Sequence, residues 1–569
     1  MKNRVLTAGM GLGLLGLLAL APDTLAQGPQ VPPYRDFPIV GNRGAVWMAA
    51  QLHLMFAAFV LAVPLFVLVI EIMGWRGKQE RYDRLAHELT HLLPPAYALT
   101  AITGAIMAFF LFTLYPGFMT YLTSIFAPTM WLYPSLFLLE SVSLYLYYYL
   151  WDSLSGDKKW VHVLIGVMLN LFGTSVMFIA NSWASFMMSP GGVSATGELV
   201  DLGAAVSNTT WWPLNLHRFV ANITFGALLC GAYAAYRYLG ARKTEEKAYY
   251  DWMGYTGNLI GLCTMLFLPF LGYYLGFEIY RFSPQMGVTL MGGVLSWLFV
   301  IQAIVIASLF IGAAYYAWLG ISRIPGAETY RRWIPVFNVL LILGFAVWAT
   351  PHTLAATPEE ATGRFHPVLS ALGLMAPKMA SITVILLILY VSYMFYRRAG
   401  KAIPPGGLNS VVWGLILAGG AAIIALGIHG LYAPAEVRIR ESILQIFILV
   451  VVLISTFILD SLLLRRARVI GAIEWGKVPA RSQYVLIALA FIIVWLMGLM
   501  GYARSAVRLN WHVSGILQDT SAAAGLPTLG EAANMVTAIT LIFFILLGMV
   551  FAFAIWSHRA RRAGRIEEY

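Results

Sequence analysis

The chain has 569 residues, of which 60% are hydrophobic and only 11% charged. That balance excludes a soluble globular protein, and long apolar runs without period-two alternation exclude a β-barrel, which leaves an all-α polytopic membrane protein. A formal net charge of +11 suggests nucleic acid at first sight; where the charges fall decides against it.

Residues 1–26 read as a signal peptide: Lys2 and Arg4, an apolar stretch from Gly9 to Ala21, then Thr24-Leu25-Ala26 before Gln27. The alternative is an uncleaved first helix. Residues 27–44 form a periplasmic N-terminal segment rich in proline and polar residues. Thirteen membrane spans follow, near 45–73, 92–114, 129–151, 161–186, 214–239, 252–277, 293–319, 333–351, 379–396, 409–432, 443–464, 484–503 and 535–557. Each is long enough for a hydrocarbon core of ~30 Å, which ~20 helical residues cross.

Charge tests that count independently. About two thirds of the lysines and arginines fall in loops after odd-numbered spans, as cytoplasmic loops require. Examples are Arg76, Lys78, Arg81 and Arg84, then Arg237, Arg242, Lys243 and Lys247, then Arg465, Arg466 and Arg468. The chain is therefore expected in a bacterial inner membrane, N-terminus periplasmic and C-terminus cytoplasmic, with no nucleic-acid partner. Cys230 and Cys263 lie in apolar runs, and no C-x-x-C-H occurs, so no c-type heme is expected. No outer segment is long enough to form an aqueous domain that holds a cofactor.

Histidine placement then becomes informative. His53 lies in the outer part of span one, His217 in the outer part of span five and His429 in the outer third of span ten. Imidazole ligates metals uncharged, which suits a membrane interior, and b-type hemes need axial nitrogens from different helices in one leaflet. The bland reading, interfacial histidines scattered by chance, applies to His352, His366 and His512. Glu140, central to span three, is the deepest carboxylate; it reads as part of a proton path or as a buried hydrogen-bonding group. Asn170 and Asn181 line the same route or bond helix to helix. Arg218 adjoins His217, and Arg438, Arg440, Arg504 and Arg508 lie outside against the charge bias. These arginines suit heme propionates, an acidic partner, a quinone headgroup or lipid phosphate.

Spans one to five resemble subunit I of the cytochrome bd quinol oxidases. The matching pieces are QLHLMF with His53, RYDR at Arg81–Arg84, LLES ending at Glu140–Ser141, LWDSL at Leu150–Leu154, IANSW at Ile179–Trp183 and LNLHRFVA with His217, over roughly residues 46–240. The resemblance implies a bd-like domain over 45–400 and a four-helix extension over 401–569. It also implies a high-spin heme on His53, a low-spin heme b on His217 and a proton path through Glu140. One or more non-covalent b-type hemes are expected, with a heme d-like high-spin heme as an option.

Departures from the family pattern are specific. Leu132 stands where the family has a second carboxylate. Val294–Gly320 contains no methionine or histidine to complete the low-spin heme, with Gln302 near that place, and no acidic residue lies between Glu328 and Glu359. The family's long outer loop is reduced to about 278–292. The His217 heme is then expected to be five-coordinate or to take its other ligand from Met286, Met291 or His429, His429 first. Two functions compete: a terminal oxidase subunit, and an electron-conducting subunit between a periplasmic redox protein and quinone or another membrane subunit. A cofactor-free scaffold or transporter is a third class.

Overall fold

A helix in hydrocarbon closes all its own backbone hydrogen bonds, so each long apolar run becomes a helix. The computed structural model describes residues 37–291, 295–355, 357, 359, 370–404, 406–520 and 529–562. The expected signal peptide, most of the expected N-terminal segment and His366 lie outside the described residues. Among them, 13 helical stretches are long and apolar enough to cross a membrane, the number read from the sequence.

In chain order the main helices are α1 (Gly41–Gly77), α2 (Glu80–Thr90), α3 (Leu93–Leu114), α4 (Pro116–Tyr149) and α5 (Lys159–Phe186). They continue as α6 (Trp211–Gly240), α7 (Thr244–Met265), α8 (Leu268–Phe282), α9 (Pro284–Met291), α10 (Ser296–Ile321) and α11 (Ile334–Ala349). The last are α12 (Met375–Arg398), α13 (Gly407–Tyr432), α14 (Ala435–Arg465), α15 (Arg481–Ala506) and α16 (Leu529–Arg562). The helices α2 and α3 make one crossing, as do α7 and α8. Two short antiparallel pairings, Lys401–Ala402 with Arg468–Val469 and Trp511–Val513 with Leu517–Gln518, complete the elements. The end at which α1, α6, α10 and α12 begin is called the outer end, after the charge pattern.

Three helices are enclosed by their neighbours, α1, α6 and α12, whereas α3, α4 and α11 leave most of their apolar surface outward, as lipid requires. Small residues set the tightest contacts. A side chain at Gly226 of α6 would lie 2.8 Å from the Ala62 methyl of α1, and one at Gly257 of α7 would lie 2.8 Å from the Ala227 carbonyl of α6. Close backbone approach replaces the hydrophobic drive that lipid cannot supply.

The four C-terminal helices divide into two pairs. Helices α13 and α14 pack on each other and on α12, while α15 packs on α6 and α10, and α16 returns to α15, α1 and α3. The second pair thereby completes the wall around α1 and α6. At the opposite, inner end, buried ion pairs tie helices together. Asp251 of α7 holds Arg323 and the Gly476 amide, and Asp460 of α14 holds Arg397 and Arg398 of α12.

One stretch differs from the sequence reading. Residues 278–292, taken as a short outer connection, are largely helical: α8 runs to Phe282, and α9 follows after an extended Ser283. Proline at the first position of α9 gives up an amide that needs no partner there and presets the helical φ.

Candidate functional site

His53 sits in α1 with its ring against α3. Its Nδ1 lies 3.0 Å from the Thr100 carbonyl. A carbonyl only accepts, so Nδ1 carries the hydrogen, and in the neutral imidazole Nε2 keeps its lone pair. Metal-bound histidines are held this way, the far nitrogen donating to a carbonyl while the near one ligates. One turn along α3, a side chain at Gly104 would stand 2.9 Å from Cε1 and 3.0 Å from Nδ1 of this ring. Only glycine leaves room for the imidazole there.

His217 lies two turns into α6, and its Nδ1 is buried with no hydrogen-bond partner. The adjacent Arg218 turns toward α5, where its Nη1 donates to Asn181 Oδ1 at 2.5 Å. Asn181 Nδ2 donates to Asn215 Oδ1 at 2.7 Å, and Asn215 Nδ2 to the Trp211 carbonyl at 3.0 Å. This chain of amides fixes the guanidinium. Asn181, read from the sequence as route or tie, therefore positions Arg218; Asn170 donates to the Pro64 and Gly166 carbonyls and ties α5 to α1.

Arg504, near the end of α15, donates to the Ala184 carbonyl. It is within electrostatic range of Arg218, which is itself within range of His53. Among the described residues, neither guanidinium has a carboxylate partner; their bonds go to an amide oxygen and a carbonyl. Both guanidiniums are half-buried, and two like charges drawn partly out of water favour an anion that joins them. Arg508 continues the line outward, with Nη1 donating to the His512 carbonyl at 2.7 Å, and burial together with the Arg43 charge lowers its pKa to about 10.

Three features of these side chains would suit a bound heme. His53 is oriented with a free ligating nitrogen. His217 has a buried nitrogen that the described chain leaves unbonded. Arg218 and Arg504 form a cationic pair suited to carboxylates such as propionates.

Glu140, central to α4, is only 4% exposed. Its Oε1 rests on α5 where a side chain at Gly173 would stand 2.8 Å away. Tyr97 of α3 and Tyr133 of α4 are within its electrostatic range. Leu132, two turns earlier on α4, is exposed. A second buried carboxylate, Glu71, lies nearer the inner end of α1. Lys159 Nζ reaches it at 2.9 Å, His162 Nδ1 at 2.6 Å and the Tyr147 hydroxyl at 2.5 Å. Tyr147, Lys159 and His162 flank one turn between α4 and α5.

The structure does not bring every expected residue here. His429 is exposed in α13, its Nδ1 2.5 Å from Glu441 Oε1 of α14, and α13 packs on α12 and α14 rather than on α6. Depth alone suggested it; the helix that carries it is in the other pair. Arg438 is buried against backbone, with Nε donating to the Ala433 carbonyl at 2.9 Å and Nη1 to the Ser370 carbonyl at 2.9 Å. Arg440 is exposed on the same helix. Neither joins Arg218, Arg504 and Arg508. Met286 and Met291 lie on α9, which packs on α8 and α10, and α8 in turn packs on α6.

Residues 42–293 match the family model of cytochrome bd terminal oxidase subunit I. Two curated relatives come from Bacillus subtilis (strain 168). A putative cytochrome bd menaquinol oxidase subunit I is 26% identical over 34% of this chain and 44% of its own length. A cytochrome bd ubiquinol oxidase subunit 1 is 24% identical over 41% of this chain and 49% of its own. The chain thus spans about half the length of the curated relatives it matches. Among solved structures, the bd oxidase from Geobacillus thermodenitrificans is similar with TM-score 0.47 and 14% identity, covering 91% of this chain and 97% of that one.

Proposed function

We propose that this chain, a divergent member of the cytochrome bd oxidase subunit I family, is the heme b-containing membrane subunit of a respiratory electron-transfer complex. It passes electrons through hemes at its outer end, between a periplasmic redox partner and quinone or another membrane subunit. The observation that carries this reading is the Arg218–Arg504 pair, without a carboxylate partner and in electrostatic range of a His53 whose Nδ1 is committed to a carbonyl. A b-type heme bound there supplies reversible one-electron chemistry. His53 is the proposed ligand of one such heme and His217 of another, and Arg218 and Arg504 would neutralise propionates. Asn181 and Asn215 hold Arg218 in place, and Gly104 gives the His53 ring its seat.

A second reading, oxygen reduction to water, is favoured by Glu140. A carboxyl buried at mid-membrane costs roughly 2.5–3.5 kcal/mol if charged, so it is held protonated or hydrated and suits proton delivery toward the His53 side. Against it stand Leu132 in place of a carboxylate and an α11 that carries no acidic residue.

Purified full-length protein should give a pyridine hemochrome spectrum of heme b, extractable by acid–acetone. His53→Ala and His217→Ala should each remove one spectral component. Wild-type protein without heme absorbance would sink both readings. Oxygen consumption that is abolished in Glu140→Gln, with heme content unchanged, would select the oxidase reading over the electron-conducting one.

A further inference from the structure

Away from the histidine pair, the outer ends of α10, α11 and α12 enclose a cation of their own. Lys378 lies one turn into α12, is 3% exposed, and its Nζ is buried without a hydrogen-bond acceptor. His352, just past α11, is 1% exposed; its Nε2 lies 2.8 Å from Met375 Sδ, while Nδ1 is buried and unpartnered. Phe299 of α10 closes the third side, its ring centroid 5.5 Å from Lys378 Nζ and 6.2 Å from the His352 ring. The start of α12 has no side-chain cap and no acidic residue in its first turn. Its dipole adds positive potential at the place where Lys378 and His352 meet.

A ring face at that distance offsets only part of the cost of removing an ammonium from water. Lys378 Nζ is a donor without an acceptor, while His352 has Nε2 beside the Met375 sulfur and offers Nδ1 as a second donor in the tautomer that carries its hydrogen there. A neutral acceptor would leave the lysine charge uncompensated, whereas an anionic oxygen satisfies charge and hydrogen bonds together. Lys378 and Phe299 each lie one turn into a spanning helix and His352 just past the end of another, the level at which lipid headgroups lie.

We propose that the outer end of α12 binds the phosphate of an anionic phospholipid headgroup, with Lys378 as counter-charge and His352 as second donor. The site shares no residue with the proposed heme ligands and stands independently of them.

The full-length protein, delipidated in detergent, is titrated with phosphatidylglycerol or phosphatidylcholine while bound lipid is read by native mass spectrometry and stability by the thermal midpoint. Wild type should retain phosphatidylglycerol selectively and rise in Tm with it. Lys378→Met should retain it at least tenfold less, yet be no less stable than wild type without lipid, because it removes a buried unpaired charge. Lys378→Arg should restore retention. If Lys378→Met fails to accumulate, His352→Gln is measured instead and should also weaken retention. Equal binding of the two lipids, or unchanged retention in the variants, overturns the proposal. A Tm rise reproduced by inorganic phosphate alone overturns the lipid as the source. Displacement of phosphatidylglycerol by a short-chain quinone overturns the anion and makes the pocket a quinone site.

Discussion

At the scale of single residues, the proposed heme chemistry rests on where one hydrogen sits. Because the Thr100 carbonyl takes the His53 Nδ1 hydrogen, the opposite nitrogen is left to ligate. Moving the ring by one carbon should therefore matter more than changing its neighbours' polarity. Gly104→Leu places atoms within 3 Å of the imidazole, and the expected result is loss of the His53 spectral component with the His217 component retained. Optical spectra of the purified variant check this; an unchanged spectrum would show that His53 holds no heme. Arg504→Leu removes one of two neighbouring charges that meet no carboxylate. Heme-free protein should become no less stable, while heme retention should weaken by about 2 kcal/mol or more, the usual loss when one partner of an enclosed charge pair is truncated. Competition with apomyoglobin for heme measures that loss.

Further out, His512 is buried against Phe118 and Tyr115. Burial lowers its pKa to about 4; Asp519 opposes that shift, and Arg508 and Arg43 add to it. A histidine depressed in the folded state contributes stability that is present above about 6.5 and lost as pH falls toward 4. The thermal midpoint should drop over that window in wild type and drop less in His512→Gln. A parallel fall in both would assign the acid sensitivity to other groups.

At the scale of elements, the question is which helix would complete the proposed low-spin heme. Helix α10 carries no methionine or histidine, and α13 carries its histidine away from α6, paired to Glu441. His429→Ala should thus leave the low-spin spectrum unchanged. Helix α9 packs on α8 and α10, and α8 packs on α6, so Met286→Leu or Met291→Leu should convert a six-coordinate spectrum to a five-coordinate one. If neither does, the His217 heme has a single protein ligand or none from α9. The conversion of residues 278–292 from loop to helix is what makes this test sensible, because a helix holds a thioether in a fixed direction where a flexible connection would not.

At the scale of the whole molecule, basic side chains at the outer end oppose the general bias that places them inside. If the proposed redox partner is acidic, an outer end with exposed Arg440 and partly enclosed Arg508 would attract it, and such steering weakens as salt screens it. Electron exchange with an acidic periplasmic donor should slow as ionic strength rises from 10 to 150 mM, roughly the range over which screening lengths fall from ~30 to ~8 Å. Salt-independent exchange would remove these arginines from the docking surface.

Sequence by itself determined the class of solvent and the number of crossings, and it assigned the proposed site residues to their helices. Those properties follow from long-range composition and from the desolvation cost of backbone in lipid, which act on every residue of a run alike. His53, His217, Glu140 and Arg218 were legible because each is a costly residue in an apolar run. Tertiary structure alone decided which of the outer arginines meet. Arg504 comes within range of Arg218 because α15 packs on α6, whereas Arg438 is taken up by backbone carbonyls of another helix pair. Depth along a helix is written in the sequence, but the angle around the bundle is not, since lipid-facing and protein-facing surfaces are equally apolar. For the same reason His429 shared the depth of His217 without sharing its neighbours, and Lys378 showed itself as an unpaired cation only once α10, α11 and α12 had closed around it.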